Sequence, residues 1–267
     1  MIVPRTFKLT VAYDGTEYVG WQVQPNGESI QGVLQRVLGE VTKQQVSVVG
    51  SGRTDAGVHA LAQVASCTIG RWNATADDLG KALNTSLPNA IVVNKVVDAP
   101  DDFHAIRDAI GKRYRYQLQI GGPHDPLEYR YRWRLRGPLD LSAMRLAARR
   151  VEGEHDFASF QASGAPRRTT VRCVRACQLI AQSDPFDRDD QQCREQVQRI
   201  AIEVEANGFL YNMVRNIVGS LVEVGRGKYP ATWIDDVIAA RNRNVAGPTA
   251  PPQGLFLQRV DYPDFES

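Results

Sequence analysis

Apolar residues change their spacing several times along the first hundred positions, and the order of those changes leaves few folds open. Residues 6–13 (T-F-K-L-T-V-A-Y) alternate as a strand does, and Asp14-Gly15-Thr16 turns the chain. Ser29 is placed to cap a helix over residues 30–42, with Ile30, Val33, Leu34, Val37, Leu38 and Val41 on one face. Short strands are expected at 46–49, ending at Gly50, and at 63–69. Thr75 caps a second helix through Leu79 and Leu83, Pro88-Asn89 breaks the chain, and 91–97 forms a further strand. Strand, helix, strand, strand, helix, strand can build a helix-backed antiparallel sheet of the ferredoxin-like type.

The second half repeats the theme with longer insertions. Residues 113–120, 129–135, 171–181 and 198–206 alternate like strands, and 255–260 supplies a last one. Helices are expected over 141–151, 209–224 and 232–241, the middle one with a long apolar face. Residues 182–195 are polar and acidic, as suits a surface excursion between strands. The expected fold class is α+β: two ferredoxin-like (RRM-like), helix-backed, mainly antiparallel sheets. The domain boundary falls near 109–112, giving domains of 1–109 and 110–267; one sheet running through both halves is the alternative.

Composition narrows the function classes. A length of 267 residues suits one large or two ordinary domains. Hydrophobic residues make up 43% and charged residues 23%, the balance of a soluble globular protein. No apolar run approaches the roughly 18 residues of a membrane span. Pro4, Arg5 and Lys8 interrupt any signal-peptide core, so a cytoplasmic location without membrane contact is expected. The net charge is only +2, so a polyanion site has to come from local clusters of Lys and Arg. Of the cysteines, Cys67, Cys173, Cys177 and Cys193, only Cys173 and Cys177 are close. Their spacing lacks a second ligand pair nearby, so reduced thiols are expected and no metal site. There is no P-loop, no G-x-G-x-x-G and no metal-ligand cluster, and no cofactor is expected.

The stretch Ser51-Gly52-Arg53-Thr54-Asp55-Ala56-Gly57-Val58-His59-Ala60 is the part most suited to chemistry. Its two glycines let the backbone turn sharply and approach a ligand closely. Asp55, two residues from the Arg53 guanidinium, has two readings. In one it bonds local backbone N–H groups while Arg53 is solvated. In the other it is an acid kept ionised by a cation, usable as nucleophile or base. Spacing alone does not choose.

The same stretch resembles the catalytic motif of the tRNA pseudouridine synthase A (TruA) family. Further matches follow in family order across nearly the whole chain. They are Tyr13-Asp14-Gly15-Thr16 with Gly20-Trp21-Gln22, Ser29-Ile30-Gln31, Asp102-Phe103-His104-Ala105, Lys112-Arg113-Tyr114-Arg115-Tyr116 and His155-Asp156-Phe157-Ala158-Ser159-Phe160. The helix motif from Gly208-Phe209 to Val218-Gly219 and Thr249-Ala250-Pro251-Pro252-Gln253-Gly254-Leu255 complete the set. The resemblance implies an isomerase that turns uridine into pseudouridine at tRNA positions 38, 39 and 40, working as a homodimer without cofactor. It also implies a central active-site cleft between the two sheets.

By this resemblance Asp55 is the catalytic aspartate, and Arg53, Tyr114 and Arg215 bind substrate. Arg53 keeps the target nucleotide out of the base stack, and Tyr114 stacks on uracil. Arg215 is the implied ion-pair partner of Asp55. Without the resemblance, Tyr114 describes a half-buried strand aromatic and Arg215 a snorkelling surface residue. One departure stands out. The family carries arginine directly after F-H-A, whereas this chain has Ile106 there and Arg107 next; on a strand, that offset flips the side chain to the other face.

Three basic segments are candidate tRNA contacts. Tyr129-Arg130-Tyr131-Arg132-Trp133-Arg134-Leu135-Arg136, read as a strand, places four arginines on one face, solvated or facing phosphate. Arg167, Arg168, Arg172 and Arg175 lie beside a loop at 163–166. Arg145, Arg149 and Arg150 sit on a helix, where solvation is the simpler reading. A non-catalytic RNA-binding protein on a ferredoxin-like sheet is the first rival reading. A carboxylate-dependent hydrolase is the second, and the absence of a second acid beside Asp55 counts against it.

Overall fold

The computed structural model describes residues 4–162, 164, 168–186 and 197–264. The chain is α+β and divides into two compact units, Met1–Ile110 with Phe256–Ser267, and Gly111–Leu255. The final segment thus belongs with the first unit, whereas the sequence-based division gave it to the second. The reason is local to that unit: Phe256 and Leu257 pair in parallel with His59 and Ala60.

The first unit contains β1 (Arg5–Tyr13), α1 (Ile30–Thr42), β2 (Val49–Gly50), β3 (His59–Ile69), α2 (Ala76–Ser86), β4 (Ile91–Ala99) and β10 (Leu255–Asp261), whose Leu255 falls in the second unit. Its strands lie in the order β4-β1-β3-β10, with β2 paired to β3. Phe7, Leu9, Val11 and Tyr13 alternate into the core, as the pattern of β1 predicts. Ser29 accepts from Gly32 N to start α1, and Ile30, Val33, Leu34, Val37 and Leu38 are all buried. Each such burial contributes about 1.5–3 kcal/mol, against about 1 kcal/mol for the cap, so the apolar stripe drives the helix and the cap sets its start. Thr75 and Asp78 form a reciprocal capping box at α2. β2 is shorter than expected. A Cβ on Gly50 would come within 2.3 Å of the Trp21 indole, which occupies the space beside the strand.

The second unit contains β5 (Gly111–Ile120), β6 (Trp133–Leu135), α3 (Leu141–Arg149), β7 (Gly153–Asp156), β8 (Val171–Gln182), β9 (Gln198–Ala206), α4 (Met213–Gly225) and α5 (Trp233–Ala240). The strand order is β6-β5-β9-β8-β7. β5 and β9 are antiparallel with Tyr114 opposite Val204 and Tyr116 opposite Ile202. On the other face of β5, Arg113 pairs with Glu205 at 2.6 Å and Arg115 with Glu203 at 2.5 Å. α4 begins four residues later than its periodicity predicts, because Asn212 takes a left-handed conformation (φ 59°) and ends the approach turn. Short 3₁₀ turns at Ala158–Phe160, Arg243–Val245 and Pro252–Gly254, and the strand β7, carry no clear period and are visible only in the structure.

The expected strand over 129–136 is corrected. Only Trp133–Leu135 is strand, parallel to β5. Before it the chain turns, with Tyr129 N donating to Asp125 O and Tyr131 N to Glu128 O. Arg132 is buried rather than facing solvent: it pairs with buried Glu128 and donates to Gln182 Oε1 at 2.6 Å. Arg199 joins the same cluster through Glu128, Asp125 and Asp184. Arg134 is turned back onto the Gly122 carbonyl. Buried carboxylates and a backbone acceptor claim Arg132 and Arg134, while Arg130 and Arg136 are exposed, so the four arginines do not share one strand face.

Of the other basic segments, Arg167 lies outside the described residues, as do Cys193 and residues 187–196 of the polar excursion. Arg172 donates to the Thr169 and Val171 carbonyls, and Arg150 pairs with Asp235. Cys67, Cys173 and Cys177 are free thiols.

Candidate active site

The loop carrying Asp55 is held on three sides. Ser51 N donates to Val64 O at 2.7 Å, and Ser51 Oγ donates to Gln63 Oε1 at 2.7 Å. Gln63 Nε2 donates to the Gly52 carbonyl at 2.9 Å. The Tyr13 hydroxyl meets Thr54 Oγ1 at 2.7 Å. Burial pushes the Tyr13 phenol up to about 12, against the opposing pull of its hydrogen bonds with Thr54 and Gln63. It is therefore a neutral pin for the loop at physiological pH.

The Y-D-G-T and G-W-Q motifs form the opposing wall. Trp21 N donates to Thr54 O at 3.0 Å, and Gly20 faces Asp55 in an isolated antiparallel bridge. A Cβ on Gly15 would lie 2.0 Å from Val58 O, and one on Gly20 would lie 2.6 Å from Thr54 O. Both glycines are there because two backbones touch. His59 is buried, with Nδ1 at 3.2 Å from Gly15 N and 3.1 Å from Asp14 Oδ1, and its ring stacks on Phe256 at 4.7 Å. Asp55 closes a turn by accepting from Val58 N at 3.1 Å, with Gly57 at φ 74°. The result is a half-buried carboxylate on a rigid loop, two residues from an exposed Arg53.

The other sequence-predicted site residues belong to the second unit. Tyr114 sits on β5, 8% exposed, its ring meeting Phe209 edge-on at 4.9 Å. Arg215 lies in the first turn of α4, half-buried, with Nε donating to Ala250 O at 2.7 Å and Nη1 to Asn212 Oδ1 at 3.0 Å. It is held by acceptors, not snorkelling. Arg53 and Asp55 therefore share one loop, and Tyr114 and Arg215 share the other unit.

The departure after F-H-A has a different consequence from the one the strand argument gives. Residues 103–108 turn rather than extend, with Phe103 N donating to Pro100 O and Asp108 N to His104 O. Ile106 and Arg107 are both exposed, and Arg107 Nε donates to Asp108 Oδ1 at 2.7 Å. A one-residue offset in a turn does not move a side chain across a sheet.

Among the described residues, no group of three His, Cys, Asp or Glu side chains is arranged to hold a metal ion.

Comparison with known proteins identifies the family. The tRNA pseudouridine synthase family profile matches residues 9–106 and 147–263, which include the Asp55 loop and all of α4. The chain belongs to this family. It is 43% identical to tRNA pseudouridine synthase A of Myxococcus xanthus over 262 residues, covering 98% of this chain and 93% of that protein. It is 43% identical to tRNA pseudouridine synthase A of Geobacter sulfurreducens over 258 residues, covering 97% and 100%. The Thermoanaerobacter sp. (strain X514) protein of the same name is 42% identical over 258 residues, with 97% and 100% covered. Sequence reasoning reached the tRNA pseudouridine synthase motifs but missed the residues that hold them. Gln63 and Arg243 lie outside every matched motif, and Asn212, though inside the helix motif, gave no sign that it ends the approach turn and holds Arg215.

Proposed function

We propose that this protein isomerises uridine to pseudouridine in tRNA, at positions 38, 39 and 40 of the anticodon stem-loop, with Asp55 as the catalytic carboxylate. The observation that supports this best is the Asp55 loop itself. Two glycine backbones and a neutral tyrosine clamp it, inside a family match that spans both units. Catalytic groups need such pre-organisation, since a displacement of about 1 Å costs roughly a hundredfold in rate. The reaction breaks the N1–C1′ bond, turns the base, joins C5 to C1′, and moves one proton from C5 to a ring nitrogen. Atoms balance within the substrate. Asp55 serves as nucleophile or base; Arg53 holds the nucleotide out of the stack; Tyr114 stacks on uracil; Arg215 binds the substrate from the first turn of α4. The protein works as a cytoplasmic homodimer built from ferredoxin-like halves.

The deciding experiment incubates the protein with unmodified tRNA transcripts and maps pseudouridines by chemical sequencing. Product at 38–40 is expected. Asp55→Asn should keep tRNA affinity within about one order of magnitude, because phosphate contacts dominate affinity, and form no product. Binding without product by the wild-type protein would favour a non-catalytic RNA-binding protein instead.

A further inference from the structure

The Arg215 guanidinium meets Asn212 through Nη1, and its Nε is directed by a strap of chain, residues 242–254, laid against α4. Nε ends on the Ala250 carbonyl, and the Ala250 amide returns a hydrogen bond to the Arg215 carbonyl at 3.1 Å. The strap has little regular structure of its own, only two short 3₁₀ turns. Something else must fix where Ala250 lies.

Arg243 does so. Its Nη2 donates to Asn216 Oδ1 and to Thr249 Oγ1, each at 3.0 Å, and its Nη1 donates to the Gly247 carbonyl at 3.0 Å. Thr249 Oγ1 donates onward to Asn216 Oδ1 at 2.7 Å. Asn216 is fully buried and anchored in turn by donating to the Phe160 carbonyl at 2.7 Å. Thr249 precedes Ala250 and Asn216 follows Arg215, so this triangle ties together the neighbours of the two residues whose contact aims the guanidinium. The fit is close: a Cβ on Gly219 would lie 1.7 Å from Pro248 O.

The choice of residue is informative. Arg243 makes no ion pair among the described residues; its hydrogen-bond partners are neutral oxygens. A half-buried cation spent on neutral acceptors is costly unless its planar fork of donors is what the site needs. Lysine presents a point charge and cannot span the same acceptors.

We propose that Arg243, acting through Thr249 and Asn216, is a positioning residue that aims Arg215. This rests on the substrate-binding role assigned to Arg215 above. The test is steady-state kinetics of pseudouridine formation against tRNA concentration for Thr249→Val, Thr249→Ser, Arg243→Lys and Arg215→Lys. Thr249→Val and Arg243→Lys should lower kcat roughly ten- to a hundredfold with KM within about twofold, the split expected when geometry rather than binding is lost. Thr249→Ser, which keeps the hydroxyl, should return kcat to within about threefold of wild type. In the Arg215→Lys background the other two substitutions should add nothing further, because the group they aim is gone. Thermal melts identify any variant that has lost its fold, and Thr249→Val, which swaps one hydroxyl for a methyl, decides the case if Arg243→Lys unfolds. Unchanged kcat in Thr249→Val, or equal losses in both backgrounds, overturns the tie. Full activity of Arg215→Lys and Arg215→Met overturns the underlying role of Arg215 instead, so the two failures are distinguishable.

Discussion

Gly20 faces Asp55 across an isolated antiparallel bridge at φ 108°, so the backbone under the carboxylate is held by the amino-terminal motif. Alanine at this position would meet the Thr54 carbonyl at 2.6 Å in a conformation that side chains disfavour. Gly20→Ala should therefore lose about 1–3 kcal/mol of stability from backbone strain and lower turnover at least tenfold by moving Asp55. Denaturant melts and single-turnover assays read the two effects separately. A variant with wild-type turnover would show that the bridge does not set the carboxylate.

Tyr13 predicts an alkaline limit. Its phenol is raised from 10.0 to about 12, so the folded state holds the proton more tightly than the unfolded state. The stabilisation is full below about pH 10 and is lost as pH rises toward about 12. Melting temperature should fall across that window. Tyr13→Phe should start about 1 kcal/mol less stable, for the lost hydrogen bond, and fall less steeply. Parallel curves for the two proteins would remove Tyr13 as a contributor.

The Arg132 cluster predicts a large loss from a modest change. Arg132→Met leaves the Glu128 carboxylate, 4% exposed as a residue, with one cation fewer. Breaking a buried pair on one side costs about 3–5 kcal/mol. Adding Glu128→Gln should recover part of it, since the unpaired charge is then gone. Urea unfolding midpoints of the single and double variants measure this, and a loss under about 1 kcal/mol would place the cluster in effectively solvated surroundings.

Thiol labelling offers a test of packing. Burial pushes the Cys67 and Cys177 thiols from 9.0 up to about 12, a roughly thousandfold smaller thiolate population at mildly alkaline pH. Native protein treated with iodoacetamide near pH 8 and digested for mass spectrometry should show Cys173 labelled and these two spared. Rapid labelling of Cys177 would contradict the packing of β8.

Much of the first unit was legible because most elements there decide themselves locally; the placement of β10 was not, since it pairs with a strand far away in sequence. Ser29 and Thr75 cap where expected, and β1 alternates because one face is covered. Asp55, Arg53, Tyr114 and Arg215 became site candidates only through motifs in family order; their spacing alone left each with a structural reading. What motifs do not show is support. Arg243 and Asn212 act by geometry over the strap and the helix start, and neither spacing nor periodicity reports that.

By itself the sequence determined the α+β class, the Ser29 and Thr75 helix caps and the family, since local periodicity and ordered motifs depend on neighbours along the chain. Tertiary structure decided the rest. The period-two pattern at 129–136 lost to carboxylates and a glycine carbonyl brought in from elsewhere, because a buried arginine must be paired whatever its spacing suggests. The same physics holds Arg215: a guanidinium has a direction only when fixed acceptors surround it, and Ala250 reaches it through space, not along the chain.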